Sequence, residues 1–139
     1  FDIQKEKKLI QLKNSNFIGA KTCSHCHVKA YKIWEKSAHS HALETLISKK
    51  KNKSSECVSC HVLAYNEKGG FVSKKDTPQF AGVQCENCHG PSRKHTTNPS
   101  LKPKKIKDNI KLCVQCHHDP HTEKFSWDKY WPKILHEKH

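Results

Sequence analysis

The sequence predicts a mainly α-helical fold with long loops, in which one small domain is held together by something other than an ordinary apolar core. The chain has 139 residues, a length that suits a single domain. Only 34% of the residues are hydrophobic and 28% are charged, so side chains alone bury too little apolar surface to offset the conformational entropy of the chain. Small domains with this deficit are usually stabilised by disulfides, metals or other cross-links.

One motif recurs four times and contains every cysteine of the chain. The motif is Cys-x-x-Cys-His, and its copies begin at Cys23, Cys57, Cys85 and Cys113. This spacing is the attachment signature of c-type haem. The two thiols reach the two vinyl groups of one porphyrin, and the histidine that follows can bind the iron from one side. The sequence therefore predicts four covalently attached haems c, which take the place of the missing apolar core.

Each position of the motif has a predicted role. The thioether bonds are expected at Cys23, Cys26, Cys57, Cys60, Cys85, Cys88, Cys113 and Cys116. The proximal iron ligands are expected to be His27, His61, His89 and His117. Zinc is the main alternative, because eight cysteines can form two sites of four thiolates each. Zinc and a disulfide framework both leave the repeated histidine unexplained, so haem is the favoured interpretation.

The second axial position of each iron can be filled only by histidine, because the chain contains no methionine. Ligation by two histidines favours a lower potential than ligation by methionine. Eight histidines remain, of which at most four are needed: His25, His39, His41, His95, His118, His121, His136 and His139. His25 is expected to face solvent, and His121 lies in a loop. His118 directly follows the expected proximal ligand His117, which restricts its reach to another iron.

Residues 28–48 form the clearest predicted helix. Apolar side chains between Tyr31 and Leu46 recur there at helical spacing. His39 and His41 both border this apolar stripe. Periodicity therefore does not choose between the two as a distal ligand.

The chain is expected to divide into an N-terminal extension, residues 1–20, and a tetrahaem domain, residues 21–139. Near the C-terminus, Pro132 is compatible with the first turn of a short helix that presents His136 and His139. The segments between the motifs are predicted to be loops with glycine-containing turns.

Location and partners are suggested by the ends and the charge of the chain. Methionine is absent even at position 1, which predicts that a secretory signal has been removed. Covalent haem attachment occurs outside the cytoplasm, so a periplasmic or extracellular location is expected. No apolar run is long enough for a transmembrane segment. The net charge of +13 is expected to reflect solvated loops and an acidic redox partner, since no nucleic-acid motif is present.

Three blocks around the motifs carry a family resemblance. They are "CSHCH…W…SAHSHALETL" in residues 23–46, "ECVSCHV…YNEKGGF" in residues 56–71 and "GVQCENCHGPSRKH" in residues 82–95. The fourth motif and the late "LHEKH" of residues 135–139 complete the pattern. With these features the chain resembles the tetrahaem cytochrome c-554 family, electron carriers of nitrifying bacteria that accept electrons from hydroxylamine oxidoreductase.

The resemblance implies choices that the residues alone leave open. It implies that His39, His95 and His136 are distal ligands and that the haem bound by His61 is five-coordinate. It also implies a mostly helical fold with haems in close stacked pairs. The segment between the third and fourth motifs is shorter here than in the family, and the open position can still be filled by a spare histidine: His41, His121 or His139.

The favoured function is electron transfer without catalysis, in which single electrons pass between exported redox proteins through low-potential, mostly bis-His haems. One alternative is a polymeric cytochrome filament, with contacts through His139 or residues 1–17. Another is the reduction of a nitrogen oxide at a five-coordinate haem on His61.

Overall fold

Short helices provide the regular secondary structure of the protein. The computed structural model describes residues 2–106, 110–120, 122 and 124–136. Within these ranges there is no β-strand, and an isolated antiparallel bridge joins Val62 to Ala81. The α-helices are α1 (Ile3–Lys13), α2 (Ala20–Cys23), α3 (Val28–Glu35), α4 (Ala42–Ser48), α5 (Ser55–Val58), α6 (Cys85–His89), α7 (Arg93–Thr97), α8 (Ile110–Cys113) and α9 (Trp127–Ile134). The mainly helical fold class is therefore confirmed.

The prediction of one continuous helix over residues 28–48 is wrong, because the chain breaks after Glu35. A single 3₁₀ turn and then α4 follow the break. Ser37 has an extended backbone, with φ −82° and ψ 159°, and its hydroxyl donates to the carbonyl of Trp34 at 2.6 Å. The hydroxyl of Ser40 donates to the carbonyl of Glu35 at 2.8 Å. Serine hydroxyls that bond to nearby carbonyls in this way compete with helical hydrogen bonding, which explains the break.

The expected helix after Pro132 is also misplaced. The helix is α9, which begins at Trp127 and contains Pro132 near its end. The indole rings of Trp127 and Trp131 stack with centroids 4.5 Å apart, a contact between residues one turn apart that stabilises the early part of the helix. Proline removes a helical hydrogen bond, and the helix ends two residues later. His136 therefore follows the helix, and His139 lies outside the described residues.

The apolar core is small, as the composition predicts. Its buried members come from α4, α5 and the loop segments that follow: Leu43, Leu46, Val58, Val62, Leu63, Phe71 and Phe80. Backbone hydrogen bonds tie these loops together, from the N–H of Leu63 to the carbonyl of Phe80 at 2.9 Å and from the N–H of Phe71 to the carbonyl of Leu63 at 3.0 Å. None of the helices in the described ranges is both long and apolar enough to cross a membrane.

Candidate functional site

Each motif forms a tight helical turn that gathers its three functional side chains. In the first motif the N–H of His27 donates to the carbonyl of Cys23 at 2.9 Å, and in the fourth the N–H of His117 donates to the carbonyl of Cys113 at the same distance. The third motif is itself the helix α6. Residues three and four apart lie on the same side of such a turn. The two thiols and the imidazole can therefore bind the same planar ligand.

The cysteines of different motifs lie beside one another, and no disulfide joins any of the eight. The thiols of Cys23 and Cys85 are hydrogen-bonded, which lowers the pKa of Cys23 and raises the pKa of Cys85. Burial raises the pKa of Cys116 to about 12, with a hydrogen bond to Cys60 adding to the effect. The first motif is therefore adjacent to the third, and the fourth motif is adjacent to the second.

These two pairs of motifs also lie near each other. Burial raises the pKa of Cys88, and the nearby thiol of Cys113 raises it further. Burial likewise raises the pKa of Cys113. The third and fourth motifs are thus neighbours, and the four attachment sites form a continuous row in the order first, third, fourth, second.

Three pairs of histidine rings face each other across similar distances. The ring centroids are 6.2 Å apart for His27 and His95, 6.0 Å for His39 and His117, and 6.1 Å for His89 and His136. A metal–imidazole nitrogen bond is about 2 Å long and a ring nitrogen lies roughly 1 Å from its ring centre, so two axial imidazoles on one ion have centroids about 6 Å apart. In each pair one ring belongs to a Cys-x-x-Cys-His motif and the other does not. The geometry fits one iron between each pair.

Hydrogen bonds at Nδ1 fix the orientation of most of these rings. The acceptors are the carbonyl of Cys57 for His61 at 2.7 Å, of Lys104 for His89 at 2.5 Å, of Leu101 for His95 at 3.0 Å and of Ile134 for His136 at 3.0 Å. Nδ1 of His117 lies 3.0 Å from the hydroxyl of Thr122, which can donate or accept. A carbonyl can only accept, so Nδ1 carries the proton and donates. Nε2 is then left unprotonated and able to bind a metal.

Burial keeps one of the pairs in the neutral form that a metal requires. It lowers the pKa of His39, with the neighbouring ring of His117 adding to the effect, and it lowers the pKa of His117 as well. The carbonyl of His39 accepts the N–H of Val83 at 2.8 Å, which holds this residue against the third motif. Both imidazoles are therefore placed and uncharged at neutral pH.

The remaining histidines are placed differently. His41 is exposed and its Nδ1 lies 3.2 Å from the carboxylate of Glu44, so His39 and not His41 faces a proximal ring. His25 is exposed, and His118 is exposed with its Nδ1 3.0 Å from the carbonyl of Asp119. The candidates His121 and His139 lie outside the described residues. Among the described residues, no second histidine ring faces His61.

Glu86 is a buried positioning residue that the sequence did not reveal. Its side chain is 3% exposed, and its carboxylate accepts the N–H groups of Ile18 at 3.0 Å, Gly19 at 2.7 Å and Ser92 at 3.0 Å. Burial raises the pKa of Glu86, and these hydrogen bonds and the charge of Arg93 oppose that rise. The carboxylate thereby fastens the segment that leads into the first motif to the third motif.

Two amides complete the attachment of α6. The N–H of Gln84 donates to Oδ1 of Asn87 at 2.7 Å, in a capping box that starts the helix. Oε1 of Gln84 accepts the N–H of Ala20 at 2.9 Å, and Nδ2 of Asn87 donates to the carbonyl of Val62 at 2.9 Å. The third motif is thus joined to α2 and to the apolar core. Gln-x-x-Asn departs from the usual Ser/Thr-x-x-Glu/Gln signature of a capping box, so neither this helix start nor the long-range bonds can be read from the sequence.

Comparisons with known proteins show what this chain is similar to. The sequence model of the family described as cytochrome c554 and c-prime matches residues 22–90, about half of the chain. Cytochrome c-554 of Nitrosomonas europaea is 35% identical over 92 aligned residues, which cover 55% of this chain and 39% of that protein. The aligned region therefore spans well under half of the relative's length. The structure of reduced cytochrome c554 from the same organism has the same fold, with a TM-score of 0.60 over 86% of this chain and 78% of that chain at 24% identity.

The residues of the chain fit haem c. Each motif offers two cysteine thiols and an imidazole, and apolar side chains stand exposed beside the paired histidines, including Val28 after His27 and Leu135 before His136. Flat apolar porphyrins would cover such side chains. Within the described ranges, no group of three or more His, Cys, Asp or Glu is arranged to hold a metal ion by itself. The chain therefore belongs to the tetrahaem cytochrome c-554 family, whose cofactors are four covalently attached haems c.

Proposed function

We propose that the protein is an electron carrier, which moves single electrons between redox proteins outside the cytoplasm. The observation that carries this proposal is the set of three facing imidazole pairs, with centroids 6.0 to 6.2 Å apart. Haem c, when bound, supplies a one-electron iron couple. Two histidines on one iron leave no position for a substrate, and without methionine the potential stays low. Such a site exchanges electrons and does little else.

The backbone holds these ligands in fixed orientations. The carbonyl of Leu101 accepts from Nδ1 of His95 at 3.0 Å, and the carbonyl of Lys104 accepts from Nδ1 of His89 at 2.5 Å. Outer hydrogen bonds of this kind set the tautomer and the direction of a metal-bound imidazole. Ligands held before the metal binds need little rearrangement when its charge changes. This rigidity supports a carrier role.

The order of the attachment sites supports movement along the molecule. The neighbouring thiols place the motifs in the order first, third, fourth and second. Neighbouring motifs bring their cofactors close, whereas isolated sites would store electrons without passing them on. We propose that the first and second motifs, at the two ends of this row, lie nearest the donor and acceptor.

The partners are proposed to be exported redox proteins with acidic docking surfaces. The polypeptide has a net charge of +13. A ferric haem with both propionates ionised contributes about one negative charge, so four haems leave the protein basic. Opposite charges accelerate association, and salt screens them. Reduction of the protein by an acidic redox partner should therefore slow as the ionic strength rises, which stopped-flow absorbance measures, whereas a rate independent of salt would contradict electrostatic docking.

Redox titration tests the carrier role itself. We expect four one-electron couples at low potential, fully reversible over repeated cycles, with a total of four electrons per chain. Fewer than four electrons per chain, or couples at the high potentials typical of methionine ligation, would refute the proposal. A sedimentation experiment at the same concentrations shows whether the carrier is a monomer or the subunit of a filament.

A second candidate function rests on His61. Its Nδ1 donates to the carbonyl of Cys57 at 2.7 Å, which directs Nε2 to one side of the iron, and no other histidine of the described residues faces it. We propose that this iron can bind a small ligand such as nitric oxide on its other side. Adding cyanide to the oxidised protein should change the absorbance of one haem in four, and an unchanged spectrum would remove this candidate.

A further inference from the structure

We propose that Thr122 is a positioning residue that sets the reduction potential of the iron bound by His117. Oγ1 of Thr122 lies 3.0 Å from Nδ1 of this histidine. The inference rests on the proposed function, since it requires His117 to bind haem iron through Nε2.

The direction of the hydrogen bond follows from the chemistry of imidazole. A neutral imidazole that binds a metal through Nε2 carries its proton on Nδ1, so the ring donates and the hydroxyl accepts. Donation from Nδ1 makes the ring a more electron-rich ligand. Ferric iron has one electron fewer than ferrous iron and gains more from such a ligand. The hydroxyl of Thr122 therefore lowers the potential of this centre.

The surroundings of His117 hold the contact in place. The ring of Phe125 stacks on the imidazole with centroids 5.1 Å apart and an interplanar angle of 25°, and the ring of Tyr130 lies 5.6 Å away. On the other side of the bond, the N–H of Thr122 donates to the carbonyl of His118 at 2.9 Å. The imidazole cannot easily turn away, and the hydroxyl is anchored by its own backbone.

This centre differs from those whose histidines donate to the main chain. Backbone carbonyls accept from His61, His89, His95 and His136, and no side-chain substitution removes a carbonyl. At His117 the acceptor is a side chain. One substitution can therefore change the potential of this iron without altering its ligands.

The experiment compares Thr122→Val with Thr122→Ser in the haem-loaded protein. Redox titration followed by low-temperature EPR measures the reduction potential of each centre. His39→Ala should turn the iron bound by His117 high-spin, and the low-spin signal that disappears then identifies this centre. We expect Thr122→Val to raise the potential of that centre alone. We expect Thr122→Ser, which keeps the hydroxyl, to leave it near the original value. Proton NMR should show faster solvent exchange of the Nδ1 proton of His117 in Thr122→Val.

The matched control is Thr45→Val, at an exposed threonine of α4 whose hydroxyl donates to the backbone carbonyl of His41. It should change no potential. If valine prevents haem loading, Thr122→Ala removes the same hydroxyl with less bulk and should give the same rise. The inference is wrong if the valine and alanine variants keep all four potentials, or if the serine variant shifts as far as they do. If His39→Ala alters no low-spin signal, the proposed pairing of His39 with His117 on one iron is wrong, and the proposed function is contradicted at this centre.

Discussion

Lys104 and His89 are joined by two hydrogen bonds that run in opposite directions. The N–H of Lys104 donates to the carbonyl of His89 at 3.3 Å, and Nδ1 of His89 donates to the carbonyl of Lys104 at 2.5 Å. Three residues earlier, the carbonyl of Leu101 accepts from His95 at 3.0 Å. His89 and His95 belong to different imidazole pairs. The strap formed by residues 101–104 therefore holds one ring from each of two imidazole pairs.

Loosening the strap should affect both centres together. Pro103→Gly gives the unfolded chain more freedom and should lower the free energy of unfolding by about 0.4–1 kcal/mol. It should also broaden the low-spin EPR signals of the centres that use His89 and His95. Pro78→Gly, at the exposed start of a 3₁₀ turn, is the control: it has the same effect on the unfolded chain and should leave every EPR signal unchanged. Identical EPR spectra in both variants would show that the strap does not orient these ligands.

Replacing a distal histidine should change one centre and spare the rest. His95→Met should keep the iron six-coordinate and raise its potential, because methionine favours the reduced state. Potentiometric titration measures the shift. His41→Met is the matched control, since His41 faces Glu44 and solvent. A potential that moves in the control, or stays fixed in His95→Met, would contradict the assignment.

Removing the carboxylate of Glu86 should destabilise the fold strongly. Glu86→Ala leaves the buried N–H groups of Ile18, Gly19 and Ser92 without their acceptor. An unsatisfied buried donor costs about 1–3 kcal/mol, so we expect a loss of about 2–5 kcal/mol in the free energy of unfolding, allowing for relaxation. Denaturant unfolding measures this loss. Glu67→Ala, at an exposed position, should cost under about 0.5 kcal/mol, and equal losses at the two sites would refute the role of Glu86.

The same carboxylate should make stability depend on pH. Burial raises the pKa of Glu86, so the folded protein keeps this proton to higher pH than the unfolded chain. The resulting stabilisation is complete below the ordinary glutamate pKa of about 4.3 and is lost as pH rises through the raised pKa. Glutamine does not titrate. The free energy of unfolding of the original protein, minus that of Glu86→Gln, should therefore fall over this pH window and then level off, whereas a constant or rising difference would contradict the raised pKa.

Local chemistry could be predicted from the sequence, and long-range geometry could not. The four motifs predict their cofactor because covalent haem attachment requires two thiols and an imidazole at this spacing. Periodicity left His39 and His41 equivalent because both border one stripe, and it missed the break at Ser37, where a hydroxyl competes with helical bonding. Glu86 resembles any surface glutamate in sequence, since its partner Ile18 lies 68 positions away.

The distal ligands His39, His95 and His136 came from family resemblance, and their ligation stays a prediction. The structure places each of these three rings opposite a motif histidine. Family membership and the helical fold are confirmed by the comparisons. The donor and the acceptor depend on the surfaces of other proteins, which this chain does not encode.

Low-temperature EPR of the fully oxidised protein tests the central claim most directly, because it counts the coordination states of iron. The three facing imidazole pairs predict three low-spin ferric centres per chain. His61, which no other histidine ring of the described residues faces, predicts one high-spin centre. Four low-spin centres would show that a further ligand reaches the iron of His61. Two or more high-spin centres would contradict the imidazole pairs themselves.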